Sequence, residues 1–234
     1  RQRRSTHARL CSADAGAPKG EGGSFLLDPK FVVIETPVFI PGVSVELLDP
    51  NPGAGDLFGQ TLQVISSGNI LVFNANDDFA ATNSGAVYLF DGLTGALISQ
   101  LRGSAANDRV GSGSVVRNLT GGNLLVASPF WNGSAGALTT FNPLTGGAGA
   151  LSSANSLVGS APGDQIGSNG TTSLAGGKLA IFSPNWNGAA GAITWADGSN
   201  GITGVVSSAN SLVGALANDR VGNDGISSLS GGKY

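Results

Sequence analysis

Residues 159–198 contain the pattern that decides the fold, and they read GSAPGDQIGSNGTTSLAGGKLAIFSPNWNGAAGAITWADG. Residues 103–143 carry the same pattern, as GSAANDRVGSGSVVRNLTGGNLLVASPFWNGSAGALTTFNP. Both copies lead to a Ser-Ser-Ala-Asn tetrapeptide, a further copy starts at Ser211, and a more divergent one begins near Leu47. The chain is therefore built from a tandem repeat, and self-similarity at a fixed period is the mark of a repeat architecture.

Two sets of residues measure the repeat period independently. The aspartates of an Asp-x-apolar-Gly motif lie 52, 56 and 55 residues apart, and Gly-Ala pairs lie 51 and 55 apart. The pairs begin at Gly85, Gly136 and Gly191. The resulting organisation is a basic tail or linker (1–21), a short β segment (22–46), three repeats (47–100, 101–155 and 156–210) and a truncated fourth repeat (211–234).

Each repeat is predicted to form four short strands. In the third repeat an alternating stretch ends at Leu174, an apolar run covers 179–184, a third strand covers 191–196, and a fourth is predicted at 202–206. The Asn-Gly and Asp-Gly pairs between these segments favour tight hairpin turns. The prediction is an all-β fold, namely a β-propeller-like array of four-stranded antiparallel blades that is incomplete at about three and a half repeats. A β-solenoid is the alternative.

The Asp-x-apolar-Gly motif is predicted to form a structural turn in every repeat. A short carboxylate can accept backbone N–H bonds, and the glycine can adopt positive φ. A ring of ligand-binding carboxylates is the alternative interpretation. The residues concerned are Asp56, Gly59, Asp108, Gly111, Asp164, Gly167, Asp219 and Gly222.

The three tryptophans are the aromatic residues that could contact a ligand. Trp131 and Trp186 occupy equivalent positions between Ser-Pro and Asn-Gly, where an exposed indole could stack on a sugar or a protein partner. The favoured interpretation is that both pack between neighbouring blades, with the indole N–H bonded to a carbonyl. Trp195 lies inside a predicted strand, at the position of Tyr88, and is predicted to belong to the core.

The repeats do not contain a recognisable catalytic, cofactor or metal motif. They have no histidine, so a Ser-His-Asp triad or a histidine metal site is excluded there. The loop Asn74–Asn83 has oxygen-bearing side chains of the kind that bind Ca²⁺, but it is interpreted as solvated. Residues 31–234 hold 12 acidic and 6 basic side chains, which disfavours nucleic-acid binding. No apolar run has the length that membrane insertion requires.

The repeat residues resemble a known family. The motif Gly55–Gly59, the strand Ile70–Phe73 and the segment Gly85–Phe90 resemble the FG-GAP repeat of integrin-α-type β-propellers. The later repeats resemble those of large secreted bacterial exoproteins of the filamentous-haemagglutinin type, which use two-partner secretion. The segment Gly22–Glu35 is similar to a phrase in the β-helical part of such exoproteins.

This resemblance implies an extracellular or cell-surface bacterial protein. The predicted function is a non-enzymatic adhesion or interaction module that recognises a host or cell-surface protein or a glycan, without cofactors. Two alternatives remain: a purely structural spacer, or the scaffold of a propeller enzyme acting on polysaccharide. The calcium-binding loop of many FG-GAP blades is missing at the matching positions.

Overall fold

The computed structural model describes residues 31–34, 45–113 and 115–227. The predicted tail (1–21), most of the predicted segment 22–46 and residues 228–234 of the predicted fourth repeat lie outside the described residues. The strands are β1 (Phe31–Ile34), β2 (Val45–Leu48), β3 (Thr61–Val64), β4 (Ile70–Asn74), β5 (Ala86–Phe90), β6 (Leu97–Arg102), β7 (Val115–Asn118), β8 (Leu124–Ser128), β9 (Ala137–Phe141), β10 (Gly149–Ala150), β11 (Ser156–Val158), β12 (Thr171–Leu174), β13 (Lys178–Ser183), β14 (Ala192–Asp197), β15 (Gly204–Val205) and β16 (Ser211–Val213).

Helical structure is confined to single turns in the described part of the chain. They are α1 (Trp131–Ser134), α2 (Trp186–Ala189) and a 3₁₀ turn at Ala175–Gly177. In α1 and α2 the Asn-Gly pair and the residue after it all have φ between 50° and 66°. Both are therefore left-handed turns, since asparagine and glycine tolerate this conformation better than other residues.

The strands form three larger sheets beside the β1–β2 hairpin, which we call sheet 1. Sheet 2 has the order β10-β6-β5-β4-β3, sheet 3 the order β15-β11-β9-β8-β7, and sheet 4 the order β12-β13-β14-β16. Each larger sheet contains four antiparallel strands in chain order. The prediction of an all-β fold with antiparallel sheets is confirmed, although sheets 2 and 3 each have a fifth strand. The antiparallel order is not that of a parallel β-solenoid.

The prediction that 202–206 forms the fourth strand of its own antiparallel sheet is wrong. This segment contains β15, but β15 runs parallel to β11 of the preceding sheet. The fourth antiparallel strand of sheet 4 is instead β16, which follows the Ser-Ser-Ala-Asn sequence. In the same way β10 pairs in parallel with β6 of sheet 2. Repeats 2 and 3 thus each contribute a two-residue strand to the sheet before them. Two residues are too few for a period-2 pattern to reveal a strand.

The sheets stack face to face and share their cores. One apolar cluster joins sheets 2 and 3 and includes Leu89, Leu101 and Phe141; a second joins sheets 3 and 4 and includes Leu157 and Ile181. Strands β4 and β5 are buried at every position because sheet 2 is covered on both faces. Continuous apolar runs, rather than alternating ones, are the sequence mark of such doubly covered strands.

The prediction that Trp195 belongs to the core is wrong. Its side chain is 44% exposed, whereas Tyr88 is 1% exposed. Counting from the Gly-Ala pairs, Trp195 corresponds to Leu89, and Thr194 corresponds to Tyr88. A shift of one residue in a strand moves a side chain to the opposite face, and this face of sheet 4 has no sheet over it among the described residues.

The Gly-Ala pairs mark a close approach between backbones. Gly85 has φ +73° and forms a parallel bridge with Val110. A Cβ atom on Gly85 would lie 2.4 Å from the Val110 backbone nitrogen and 2.6 Å from its carbonyl oxygen. Only glycine fits at this contact between sheet 2 and the start of the next repeat.

We expect Gly85→Ala to destabilise the protein much more than Gly188→Ala. Gly188 also has positive φ, at +66°, but a Cβ there meets nothing within 4 Å. Its alanine variant should lose only the conformational cost of about 1–2 kcal/mol, whereas the Gly85 variant adds a clash with backbone. Urea unfolding followed by circular dichroism compares the two variants, and equal losses would contradict the close-approach explanation.

Candidate functional site

The repeated aspartates clamp the linkers between sheets. Asp108 Oδ2 accepts the backbone N–H groups of Ser104 (2.9 Å) and Ala105 (2.8 Å). Its Oδ1 accepts the N–H of Asn132 at 2.9 Å, from the loop between β8 and β9. The carboxylate is only 2% exposed. It therefore fastens a sequence-local turn to a loop 24 residues away in the chain.

Asp164 repeats this arrangement one unit later. Its Oδ2 accepts the N–H groups of Ser160 (2.7 Å) and Ala161 (2.9 Å), and its Oδ1 accepts the N–H of Asn187 at 2.9 Å. Asp219 caps its turn in the same way, through Ala215 and Leu216, but it is exposed. Both carboxylate oxygens of Asp108 and of Asp164 therefore accept hydrogen bonds from backbone N–H groups.

The backbone after each aspartate is left-handed at two positions rather than one. The motif glycines Gly59, Gly111, Gly167 and Gly222 all have φ between 74° and 89°. The residues directly after the aspartates, namely Leu57, Arg109, Gln165 and Arg220, also have positive φ, between 45° and 56°. Sequence reasoning missed this second position because none of these residue types favours the left-handed region.

Asp56 lacks the hydrogen bonds that its counterparts make. It is 1% exposed, yet neither carboxylate oxygen has a hydrogen-bond partner of ordinary geometry. Pro52 stands where Ser104 and Ser160 donate, and proline has no N–H. Burial raises the pKa of Asp56, and the negative charges of Asp77 and Asp78 act in the same direction.

Trp131 and Trp186 pack between the sheets. Trp186 is 8% exposed and belongs to the cluster between sheets 3 and 4, while the half-buried Trp131 packs against the cluster between sheets 2 and 3. The predicted indole-to-carbonyl bond is not found, since neither Nε1 atom has a hydrogen-bond partner within the described residues. The structure thus places these side chains mainly in the interior rather than on the loop surface.

The first repeat has a buried carboxylate where the later ones have tryptophan. Asp77 is 0% exposed, and its carbonyl accepts the Gly85 N–H just as the Trp131 carbonyl accepts the Gly136 N–H. Asp77 accepts hydrogen bonds from the Phe79 N–H at 2.8 Å, the Asn51 amide at 3.2 Å and the Tyr88 hydroxyl. The interpretation of Asn74–Asn83 as a solvated loop is therefore wrong for Asp77, although Asp78 is exposed.

Asp49, at the end of β2, lies close to this buried carboxylate. Burial raises the pKa of Asp49 to about 6 from its usual 3.8, and the charges of Asp77 and Asp56 add to the effect. The same surroundings raise the pKa of Tyr88, chiefly through burial. Composition could not reveal this cluster, because Asp49 and Asp77 are brought together by packing of sheet 1 on sheet 2.

We expect Asp49 to make the protein more stable in mild acid than at neutral pH. The pKa of Asp49 is higher in the folded protein than in the unfolded chain. Its contribution to the free energy of unfolding is therefore fully present below pH 3.8, its usual pKa, and is lost as the pH rises through about 6. Asp49→Asn should remove this decline in a series of urea unfolding midpoints between pH 4 and pH 7.5.

Asp91→Asn is the control that should leave the slope of the profile between pH 4 and pH 7.5 unchanged. Backbone N–H groups of Thr94 and Leu93 lower the pKa of Asp91 from its usual 3.8, so its contribution is lost only at pH values below that window. Asn142 shows that asparagine fits the equivalent turn, since its Oδ1 accepts the N–H of Leu144 at 2.9 Å. An unchanged pH profile in Asp49→Asn would contradict the assignment.

The second repeat carries an exposed aromatic side chain beside a shallow cavity. Phe130 is 46% exposed and lines a cavity of about 380 Å³ together with Arg109 and Asn107. The equivalent position in the third repeat is Asn185, so this surface belongs to one repeat only. Phe130 was not identified from the sequence, because the neighbouring Trp131 was the candidate contact residue at this position.

The described residues contain neither a metal-binding cluster nor a membrane-spanning helix. No group of three or more histidine, cysteine, aspartate or glutamate side chains is arranged to hold a metal ion in that part of the chain. None of its helices has the length and apolar character needed to cross a membrane.

Comparison with known proteins gives one family match. Residues 118–168 and 173–223 each match the family described as a repeat of unknown function (DUF5650). The two matched stretches start 55 residues apart, which agrees with the period measured from the aspartates. The chain thus contains a recognised repeat. No curated protein matches it significantly.

Proposed function

We propose that this chain is a non-enzymatic repeat region of a secreted or cell-surface bacterial protein, and that it acts in adhesion or interaction. In this proposal each four-stranded sheet is one blade of a propeller-like array. The recurring stack of antiparallel sheets, each joined to the next by a shared apolar core, supports the blade arrangement. The resemblance to FG-GAP and filamentous-haemagglutinin-type repeats supports the location.

The main support for this proposal is the way in which the repeated aspartates form hydrogen bonds. Asp108 and Asp164 are buried and spend their oxygens on backbone N–H groups. Carboxylates bound in this way hold the sheets in position and are poorly placed to exchange protons with a substrate. The variable part of each repeat is then the surface of its loops.

The contact surface that we propose is centred on Phe130. The exposed ring lines the same cavity as Arg109 and Asn107, so this surface combines an apolar face with residues that carry hydrogen-bond donors. Aromatic faces and planar donors of this kind are typical of surfaces that bind glycans or polar protein segments. Glycans are the class that we would test first.

Phe130→Ala is expected to weaken binding by about tenfold, as for the loss of one aromatic anchor. The measurement is a glycan array with the whole chain, followed by titration of any glycan that binds. Leu144→Ala is the matched control, because Leu144 is 64% exposed but lies in a different loop. Equal binding by the Phe130 variant would place the contact elsewhere. A chain that binds no glycan and no cell surface would favour the spacer alternative.

A further inference from the structure

Sheet 4 exposes a leucine position that is buried in both of the sheets before it, and a tryptophan position that is buried in sheet 2. Leu101, Leu157 and Leu212 are equivalent residues on the last antiparallel strand of each sheet, and they are 0%, 0% and 54% exposed. Trp195 shares the face of Leu212 and is 44% exposed, whereas the equivalent Leu89 is 0% exposed. In sheets 2 and 3 this face is covered by the sheet of the following repeat.

The outer edge of sheet 4 also differs from its counterparts. β10 lies parallel to Leu101 and Arg102, and β15 lies parallel to Leu157 and Val158. Within the described residues no such two-residue strand lies beside β16. The register of the earlier pairs predicts that its missing partner would lie beside Leu212 and Val213.

The segment after sheet 4 already begins the same contact. Val221 forms a parallel bridge with Gly191, as Val110 does with Gly85. Val221 and Ile226 pack against the buried cluster that includes Phe182 and Ile193. The interface between repeats thus continues onto sheet 4, but it covers only part of the face and leaves Trp195 and Leu212 exposed.

We propose that the exposed face and edge of sheet 4 form a docking site for a further copy of this repeat. The copy would cover Trp195 and Leu212 with its own four-stranded sheet and would add a two-residue parallel strand beside β16. The occupant is specified by the two interfaces that the chain already contains, which use the same face, the same edge and the same register. A polar ligand would leave these apolar side chains without matching contacts.

The experiment extends the chain by one repeat. Residues 225–234 correspond to residues 170–179, so a copy of residues 180–227 is appended after Tyr234. The tryptophans of the added copy are changed to phenylalanine, so that Trp195 keeps a unique peptide. Hydroxyl-radical footprinting read by mass spectrometry then reports oxidation of Trp195 and Leu212 separately.

In the extended chain we expect Trp195 to become as protected as Trp186, which is 8% exposed, and Leu212 to lose its oxidation. The control extension carries Ile181→Asp in the added copy, since Ile181 is the residue that faces the preceding sheet. It should leave both residues as reactive as in the parent chain. Unchanged reactivity in the unmodified extension, in a chain that circular dichroism shows to be folded, would overturn the inference.

A second outcome would also overturn the chosen occupant. If the parent chain forms a dimer by analytical ultracentrifugation and Leu212→Asp returns it to a monomer, the face is occupied by a second copy of the chain rather than by a following repeat. The inference rests on the proposed blade arrangement but not on adhesion. A chain that binds no glycan would still protect Trp195 in the extended form, so the two proposals can fail separately.

Discussion

Asp164→Ala is expected to lower the free energy of unfolding by about 2–4 kcal/mol, because it removes several charge-assisted hydrogen bonds and leaves backbone donors unsatisfied. The lost partners are the N–H groups of Ser160, Ala161 and Asn187. Since Asn187 follows the buried Trp186, the fluorescence of the native state should also shift towards that of a solvated indole. Urea unfolding followed by circular dichroism and by fluorescence measures both effects.

Asp219→Ala is the control for that variant. Asp219 caps the same turn through two backbone N–H groups, but it is exposed, and its contacts among the described residues do not reach a distant loop. Its loss should resemble that of an ordinary turn or cap residue, at about 1 kcal/mol. If both aspartates cost the same, the long-range bond to Asn187 contributes nothing, and the clamp is only a local turn.

Leu157→Ala is expected to cost about 2–5 kcal/mol, the usual range for removing a fully buried leucine side chain. Leu157 is 0% exposed in the core between sheets 3 and 4. Leu212→Ala should cost about 0.5 kcal/mol, as for a surface substitution, because Leu212 is 54% exposed. Both leucines stand in the same Ser-Leu-Val sequence, so the pair isolates the effect of burial.

The comparison is made by urea unfolding of both variants under the same conditions. A large loss at Leu212 would mean that its face is covered in solution, by a second copy or by another part of the chain. Similar small losses at both positions would contradict the shared core between sheets 3 and 4. In the chain extended by one repeat, Leu212→Ala should approach the cost of Leu157→Ala, because the two environments then become equivalent.

Local pattern was enough to predict β13 and β14. The apolar run at 179–184 corresponds to β13, in which all but the first residue are buried, and the following Asn-Gly pair forms a left-handed turn. These features depend on residues that are close in sequence. Tight turns and apolar runs have the same consequences wherever they occur.

Contacts between repeats were not predictable in the same way. The short strands β10 and β15 have two residues each, and their pairing depends on the edge of another sheet. The exposure of Trp195 depends on whether a sheet covers its face, and the burial of Asp77 depends on how sheet 1 packs on sheet 2. Neither property is encoded by the residues next to it.

The amino-acid sequence alone determined the repeat, its period and the antiparallel strands within each unit, because turn glycines and apolar runs act over a few residues. Tertiary structure decided which side chains serve the interfaces between units. It placed Trp186 inside a core, used Asp108 and Asp164 to join linkers to distant loops, and left Trp195 and Leu212 at the surface. The physical reason is that a side chain is buried only where two surfaces pack together, and the sequence of one repeat specifies only one of those surfaces.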